Sequence, residues 1–561
     1  RAMTRKLRSN FEEGSPRWAV RRAQWRALGL SDEDMRKPKI AVVNSSSELS
    51  ICFSHLDGIA AAVKQAVREA GGLAFEIRTC APSDFVTSAG KQGRYILPSR
   101  DLLVNDIEVQ VEGAQLDGMI CLASCDKTAP GQMMAAARLD VPTLIVPCGY
   151  QPHGTLDGCA VDIEEVYESV GRVATGEISL ERLGGICGGG DGGAPLWAGG
   201  GAPNNVRAAI GGPGVCAGMG TANTMHIAAE VLGLALPGGT PVRANSERMF
   251  EYARAAGRRV VEAVWEDLRP SRILTPQAFE NAVMAGLALS ASINLARHLQ
   301  AIAVEARCPV QIYDLYDRAG ERVPLLCAVR PNGETRIEQL EAAGGARAVM
   351  QRLRTLVHCE CLTVSGRSWA EEIAAAPEPG AVVRTIDDPI SRKASVVVMR
   401  GNLATEGAIL KLGDAGGKAS RFEGRALVFD SQEAALQALR DGRIVPGTVA
   451  VLRGMGARGG PGMALASGFV AAVEGAGRSR DVAVVTDGQL SGLNRGIAIG
   501  LVSPEAAAGG LIAFVEDDDP VVVDIERRTV TLAVDEGELA LRRERGPTVA
   551  PAEERGWLSV Y

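Results

Sequence analysis

The stretch Met119-Ile-Cys-Leu-Ala-Ser-Cys-Asp-Lys127 is a short apolar run that ends in polar, chemically reactive residues. The neighbouring sequence repeats this design, with apolar runs at 40–44, 73–77 and 143–147 and helical patterns at 56–70 and 131–139. Strands that alternate with helices form parallel sheets with helices on both faces. The sequence therefore predicts an α/β fold whose N-terminal domain is an α/β/α parallel-sheet domain. Asn44, Asp84 and Cys125 follow such strands, at the edge where these sheets bind ligands.

The second half of the chain has a different character. Helical patterns dominate from 225 to about 301, and Pro377-Glu-Pro-Gly-Ala indicates a boundary. Beyond it, short β-rich runs separated by glycine turns occur at 394–399, 448–452, 482–486 and 521–525. These runs predict a C-terminal β-barrel-like domain. We expect residues 1–377 to form the N-terminal domain with the cofactor site, and 378–561 to form the barrel-like domain. The glycine-dense stretch from 184 to 203 predicts a loop.

Composition excludes several classes of protein. The chain has 561 residues, 60 basic and 67 acidic side chains, and a net charge of -7, without a basic stripe that could follow a phosphate backbone. Nucleic acid is therefore not an expected partner. No apolar run reaches the length of a membrane span, so no membrane association is expected either. We expect a cytoplasmic enzyme, in which the 12 cysteines stay reduced.

Three cysteines stand in distinctive contexts. Cys52 lies in Ser50-Ile-Cys-Phe-Ser-His, Cys125 in Ser124-Cys-Asp-Lys-Thr, and Cys216 in Gly214-Val-Cys-Ala-Gly. Three thiolates that leave one iron open suit an iron–sulfur cluster acting as a Lewis acid, whereas electron-transferring clusters normally have four protein ligands. This pattern favours dehydration chemistry. The alternative is that these cysteines, like the other nine, are small buried residues.

Further motifs identify a resemblance to the dihydroxy-acid and sugar-acid dehydratase family over nearly the whole chain. Matching segments include Leu97-Pro-Ser-Arg100, Gly401-Asn-Leu-Ala-Thr-Glu406-Gly, Gly459-Gly-Pro-Gly-Met463, Thr486-Asp-Gly-Gln-Leu-Ser491-Gly and Val502-Ser-Pro-Glu505. The fold of that family, an α/β domain followed by a β-barrel domain, agrees with the fold predicted above. The resemblance implies a hydro-lyase that converts a 2,3-dihydroxy carboxylic acid, a branched-chain amino-acid precursor, into a 2-keto acid.

The resemblance also implies the cofactors and the residues that hold them. Cys52, Cys125 and Cys216 match the ligands of an iron–sulfur cluster, 2Fe–2S rather than 4Fe–4S. Asp84, Asp126 and a carbamylated Lys127 match the ligands of a magnesium ion, and oxygen ligands suit such a hard cation. Ser491 matches the general base that removes the C2 proton. Taken without the resemblance, Asp126 could cap the helix that follows it and Ser491 could be a turn residue.

The chain departs from the family pattern at the magnesium site. Leu465 stands in Pro461-Gly-Met-Ala-Leu465, where the family usually has a glutamate that binds the ion, and Met455 replaces a second acid. The loop after Asp84 contains Phe85 and Lys91 and lacks the family's histidine. We therefore expect weak magnesium binding, with Lys91 as a possible substitute for the ion.

Three alternatives to the branched-chain activity stay open. The chain could dehydrate a sugar acid, such as an aldonate, or it could be a paralogue with impaired catalysis that binds a ligand. An electron-carrying role is disfavoured, since no fourth cysteine ligand is evident. The expected partner is a small hydroxy acid, and the expected assembly is a homodimer or a dimer of dimers.

Overall fold

The computed structural model describes residues 6–84, 86–87, 93–188, 209–412, 420–490, 496–546, 549 and 554–561. Within these residues the chain forms two sheets surrounded by helices, together with one small hairpin. The first sheet belongs to the N-terminal half and the second to the C-terminal half, so the α/β fold and the two architectures predicted from the sequence are confirmed. None of the described helices has the length and apolarity needed to cross a membrane.

The N-terminal sheet has four parallel strands in the order β2-β1-β3-β4. Its strands are β1 (Lys39–Asn44), β2 (Leu73–Arg78), β3 (Gly118–Ala123) and β4 (Thr143–Pro147). Every residue of β1, β3 and β4 is buried, as continuous apolar strands in covered parallel sheets are.

Helices cover both faces of this sheet. The helices concerned are α2 (Leu56–Glu69), α3 (Ile96–Gly113), α4 (Cys125–Leu139), α7 (Thr221–Val231) and α8 (Glu247–Glu266), whereas α1 (Pro16–Ala27) has no buried residue and contacts β2 through Trp25 and Phe75. Helix α2 packs against α8 and on the strands, while α3 and α4 form a second pair. Because crossovers between parallel strands are right-handed, this strand order puts the two pairs on opposite faces.

Helix α4 begins six residues earlier than the sequence pattern predicts. Pro130 and Gly131 suggested a start at 131, but Pro130 lies inside the helix, whose first residue is Cys125. Proline at this early position lacks only one N–H, and the residues around it are buried against α3 and α7, so packing overrides the weak propensity. The chemically reactive residues 125–127 therefore belong to the first turn of a helix rather than to a loop.

The predicted loop at 184–203 is also partly helical. The residues of α6 (Leu180–Cys187) include Gly184 and Gly185, and Ser179 caps the helix by accepting a hydrogen bond from the Arg182 N–H. Buried Ile186 holds the helix to the protein, and Gly188 ends it in the left-handed conformation. Residues 189–208 lie outside the described part of the chain.

The rest of the N-terminal half is mainly helical, as the sequence predicts. It contains the hairpin β5 (Gly154–Leu156) and β6 (Cys159–Val161) and the helices α5 (Ile163–Ala174), α9 (Pro276–Ala288), α10 (Asn294–Glu305), α11 (Ile312–Gly320), α12 (Ile337–Ala342), α13 (Gly345–Arg352) and α14 (Trp369–Ala374).

The C-terminal sheet has eight strands in the order β14-β13-β9-β10-β11-β12-β8-β7. Its elements are β7 (Val396–Met399), β8 (Gly407–Lys411), β9 (Arg421–Phe429), α15 (Gln432–Arg440), β10 (Thr448–Leu452), α16 (Ser467–Gly475), β11 (Val482–Thr486), β12 (Ile497–Ser503), β13 (Pro520–Asp524), β14 (Thr529–Leu532) and α17 (Glu536–Arg545). Arg400, directly after β7, bridges to β14: its N–H donates to the Arg528 carbonyl at 2.9 Å, and its carbonyl accepts from the Val530 N–H at 2.7 Å. This bridge joins the two edge strands, so the sheet is nearly closed.

The two halves meet where α5 crosses α16. A side chain at Gly171 would overlap the carbonyl oxygen of Ala472, and one at Gly475 would overlap the carbonyl oxygen of Glu168. Both crossing points therefore need glycine, because one helix backbone lies directly on the other.

We expect Gly171→Ala and Gly475→Ala each to destabilise the protein by roughly 1–3 kcal/mol, because the added methyl group forces the two backbones apart. Gly184→Ala is the matched control, since a side chain there meets no atom within 4 Å and the position is helical. Denaturant-induced unfolding measures all three variants. Equal stability of the Gly171 and Gly184 variants would contradict the close crossing.

Candidate functional site

A cavity of about 100 Å³ lies between the two halves of the chain. The residues that line it are Cys52, Asp84, Gly93, Cys125, Asp126, Ile163, Glu164, Tyr167, Val215, Cys216, Gly218, Gly220, Thr221, Ala222, Asn223, Gln432, Leu465, Ser467 and Gly468. Five of the seven residues singled out from the sequence are among them. The cavity is at the carboxyl ends of the parallel strands, where α/β sheets bind ligands.

Cys125 occupies the sharp turn from β3 into α4. Its φ of 59° is in the left-handed region, a conformation that costs a non-glycine residue about 1–2 kcal/mol. Two hydrogen bonds of Ser124 hold this turn: its Oγ donates to the Cys52 carbonyl at 2.5 Å, and its N–H donates to Thr128 Oγ1 at 2.8 Å. The first of these bonds ties the Cys52 loop to the Cys125 turn. Strain at this position therefore serves to present one thiol beside another.

Cys52 and Cys125 are both 3% exposed and lie side by side. The neighbouring Cys52 thiol and burial raise the pKa of Cys125 far above its usual value. Burial also raises the pKa of Cys216, the third thiol, and the charges of Cys52 and Asp84 raise it further. All three cysteines are free thiols. Without a cation nearby, Cys125 and Cys216 favour the protonated state; a bound metal would favour the thiolates.

The loop that carries Cys216 is shaped by the start of α7. Asn223 Nδ2 donates to the carbonyl oxygens of Cys216 and Gly218, both at 2.8 Å. These two bonds explain why the Cys216 motif continues as far as Asn223.

Among the residues that the structure describes, Asp84, Cys125 and Asp126 form a group of acidic and thiol side chains that could hold a metal ion. Their ligand atoms all lie within 4.8 Å of one another. Cys125 Sγ is 3.5 Å from Asp84 Oδ1 and 3.9 Å from Asp126 Oδ1. Burial, followed by the charge of Asp126, raises the pKa of Asp84 to about 7. A cation would remove this repulsion, so the arrangement suits a metal centre.

Lys127 is outside the cavity lining but directly connected to it. Its side chain is 1% exposed, and its Nζ donates to Asp126 Oδ2. Six of the seven predicted site residues are thus close together. The seventh, Ser491, lies outside the described residues, as does Lys91.

The two residues before Ser491, Gln489 and Leu490, are held beside the cavity wall. Gln489 and Leu490 are fully buried, the Gln489 N–H donates to the Ala464 carbonyl at 3.1 Å, and the Gln489 carbonyl accepts from the Ala466 N–H at 3.2 Å. Leu465, between these two partners, lines the cavity. The position where the family pattern has a glutamate therefore faces the same cavity as Asp84 and Asp126.

Asp487, which lies in the Thr486–Ser491 motif, holds together the loops around Gly454 and Ala506. Its carboxylate accepts hydrogen bonds from the backbone N–H groups of Gly454, Met455 and Ala506, at 3.1, 2.9 and 2.9 Å. Burial raises its pKa to about 6. This residue joins three segments of the barrel next to the cavity, and no role in binding substrate is needed to explain its place in the motif.

Glu164 and Tyr167 line the cavity from α5 and were not predicted from the sequence. Asp162 caps this helix by accepting from the Glu164 and Glu165 N–H groups. The cap and the acidic first turn mark the beginning of a helix, but nothing in that local pattern indicates that its first turn faces Cys216.

Two family models match this protein, one for each half of the chain. The N-terminal family model "Dihydroxy-acid/6-phosphogluconate dehydratase" matches residues 37–372, and the C-terminal model of the same name matches 381–561. A dihydroxy-acid dehydratase of Ignicoccus hospitalis is 40% identical over 550 residues, which are 97% of this chain and 96% of that protein. One from Caldanaerobacter subterraneus is 38% identical over 558 residues, 99% and 97% of the two chains. One from Methanosarcina barkeri is 36% identical over 564 residues, 99% and 98% of the two chains.

We expect Leu465→Glu to increase affinity for magnesium by roughly tenfold or more, because it adds a carboxylate beside Asp84 and Asp126. Leu465→Gln is the matched control, with similar size and no charge. Magnesium titrations followed by calorimetry and by thermal unfolding compare the three proteins. Tight binding that is equal in all of them would mean that the native chain already has a full set of oxygen ligands.

Proposed function

The chain belongs to the dihydroxy-acid/6-phosphogluconate dehydratase family, and we propose that it dehydrates a branched-chain 2,3-dihydroxy carboxylic acid to a 2-keto acid. It is an enzyme of the hydro-lyase class. The observation that carries the choice of substrate is the match to proteins named dihydroxy-acid dehydratase along essentially the whole chain.

Cys52, Cys125 and Cys216 would hold an iron–sulfur cluster, 2Fe–2S rather than 4Fe–4S. The donor set fits this group, since three free thiols face one cavity and the carboxylates of Asp84 and Asp126 lie beside Cys125. When bound, a cluster with an open iron supplies a Lewis acid that makes the C3 hydroxyl a better leaving group.

Asp84, Asp126 and Lys127 in its carbamylated form would hold a magnesium ion. The closeness of Asp84 Oδ1 and Asp126 Oδ1 to a common sulfur supports this assignment. The ion, when bound, supplies positive charge to the substrate carboxylate and C2 oxygen. Leu465 leaves the set of oxygen ligands one short, which is why we expect the ion to bind weakly.

Ser491 would be the general base. Its hydroxyl must first lose a proton, which nearby cations favour. The serine oxygen then takes the proton from C2, the C2–H electron pair forms a C2=C3 double bond, and the C3–O bond breaks as hydroxide leaves. The resulting enol takes up a proton at C3, releases the proton of its C2 hydroxyl and so becomes the 2-keto acid. Ser491 directly follows Gln489 and Leu490 in the chain, two buried residues beside the cavity wall at Leu465, which supports this role.

A sugar acid is the second candidate substrate. Thr221, Gln432 and Ser467 put hydroxyl and amide groups on the cavity wall, and these groups suit the additional hydroxyls of an aldonate. Ile163, Val215 and Leu465 supply an apolar part of the wall that suits a branched alkyl group instead.

A substrate panel tests the proposed function. Protein reconstituted anaerobically with iron, sulfide and magnesium should form 2-keto acid from branched-chain 2,3-dihydroxy acids faster than from aldonates. Ser491→Ala should reduce turnover by at least about 100-fold, because general base catalysis contributes that much or more. A preference for aldonates would favour the second candidate, and turnover of neither class would favour a ligand-binding paralogue.

The cluster assignment predicts that Ser at Cys52, Cys125 or Cys216 strongly reduces bound iron and sulfide. Cys308→Ser is the matched control, because Cys308 is a half-buried thiol that does not line the cavity. Iron and sulfide assays on protein purified without air measure the effect. Full retention in all three ligand variants would rule out the assignment.

A further inference from the structure

Thr221 is a buried threonine in the first turn of α7, and it lines the cavity. Its side chain belongs to a small polar cluster with Ser292 and Asn294, which lie just before and at the start of α10. Asn294 Nδ2 donates to Thr221 Oγ1 at 3.1 Å, and Ser292 Oγ is 2.9 Å from the same oxygen. Thr221 is 4% exposed and Ser292 is 0% exposed, so bulk water does not compete for these bonds.

The donors and acceptors of this cluster determine where its hydrogen atoms lie. Ser292 Oγ accepts from the Asn294 N–H at 3.3 Å, and within the described part of the chain its one other partner is Thr221 Oγ1. A buried hydroxyl that donates to nothing is costly, so the Ser292 O–H donates to Thr221 Oγ1. That oxygen then accepts two hydrogen bonds, which occupy both of its lone pairs.

The O–H of Thr221 itself has no acceptor among the described residues. Since Thr221 lines the cavity, its O–H is available to a molecule bound there. With both lone pairs of its oxygen occupied, Thr221 can donate to such a molecule but cannot accept from it.

The first turn of α7 adds further donors beside this hydroxyl. The backbone N–H groups of Thr221, Ala222 and Asn223 have no acceptor in the described ranges of the chain, and Gly220 provides no side chain to cap the helix. All four residues line the cavity. The partial positive charge of a helix N-terminus favours an anion. This part of the wall therefore suits a ligand group that is negatively charged and consists of acceptors.

We propose that Thr221 binds the carboxylate of the substrate, donating its O–H to one carboxylate oxygen beside the N–H groups at the start of α7. A carboxylate has acceptors and no donors, so it matches a threonine that can only donate. A substrate hydroxyl that needs an acceptor finds none at Thr221. The residue would therefore help to decide which end of the acid enters this side of the cavity.

This inference rests on the proposed function, because that function supplies an acid as the substrate. The acidic residues Asp84 and Asp126 in the same cavity oppose a second anion, so the substrate carboxylate needs favourable partners. Leu465 leaves the magnesium ligands one short, and a weakly bound ion is a partner for only part of the time. The donors of α7 belong to the chain and do not depend on the ion.

Binding of isovalerate, a branched carboxylate without hydroxyl groups, tests the role of Thr221 without turnover. Isovalerate is titrated by calorimetry into protein that has been reconstituted anaerobically with iron, sulfide and magnesium. Thr221→Val, which keeps the shape but has no hydroxyl, should weaken the binding of isovalerate by at least about tenfold, because a hydrogen bond to a charged group is lost. Thr221→Ser keeps the hydroxyl and should retain most of the affinity.

Two controls separate carboxylate binding from a general effect on the fold. Isovaleramide, the neutral amide of the same acid, should bind the wild type more weakly than isovalerate does, and this difference should shrink in Thr221→Val. Thr143→Val is the matched variant, because Thr143 is a buried threonine that does not line the cavity and whose hydroxyl donates to the Val141 carbonyl at 2.6 Å. It should bind isovalerate as the wild type does.

Equal affinity of wild type and Thr221→Val for isovalerate would overturn the inference, and so would a wild-type protein that binds neither probe. A changed visible absorption of the reconstituted cluster in Thr221→Val, with isovalerate affinity unchanged, would also overturn it and assign the hydroxyl to the cofactor. A protein that binds isovalerate with the expected dependence on Thr221, yet dehydrates no acid, would contradict the proposed function and leave this inference standing.

Discussion

The burial of acidic and thiol side chains in one cavity is the constraint on which the rest of the structure depends. Asp84, Asp126 and the thiols of Cys52, Cys125 and Cys216 line this cavity, and burial, followed by the charge of Asp126, raises the pKa of Asp84 to about 7. Such a group is costly without a positive partner. The framework around it has to be rigid, and it is: the thiols project from a fully buried sheet edge and from loops held by hydrogen bonds to backbone atoms.

Much of the fold could be predicted from the sequence, because buried parallel strands such as β1 and β3 are continuous apolar runs that carry their own signal. The ends of the helices were harder to predict. Because of Pro130 the first turn of α4 was not predicted, and because of Gly184 and Gly185 the second half of α6 was not predicted. At both places tertiary packing outweighed the low helix propensity of these residues.

The candidate site was only partly predictable, for a different reason. The cysteines and Asp126 stand in compact motifs, whereas Glu164 and Tyr167 reach the site from a helix whose sequence resembles that of an ordinary amphipathic helix. Their importance comes from what lies opposite them in space. No local pattern encodes such a relation.

The crossing of α5 and α16 sets limits on how substrate preference can change in evolution. The cavity takes one wall from the first turn of α5 and another from the start of α16, and these helices touch backbone to backbone at Gly171 and Gly475. Contacts of this kind contain no flexible side chain that could be shortened to bring the walls closer. The spacing of the two walls is therefore close to invariant. Specificity for a different substrate must therefore come from substitution of cavity side chains such as Leu465 or Glu164, while the distance between the two helices stays the same.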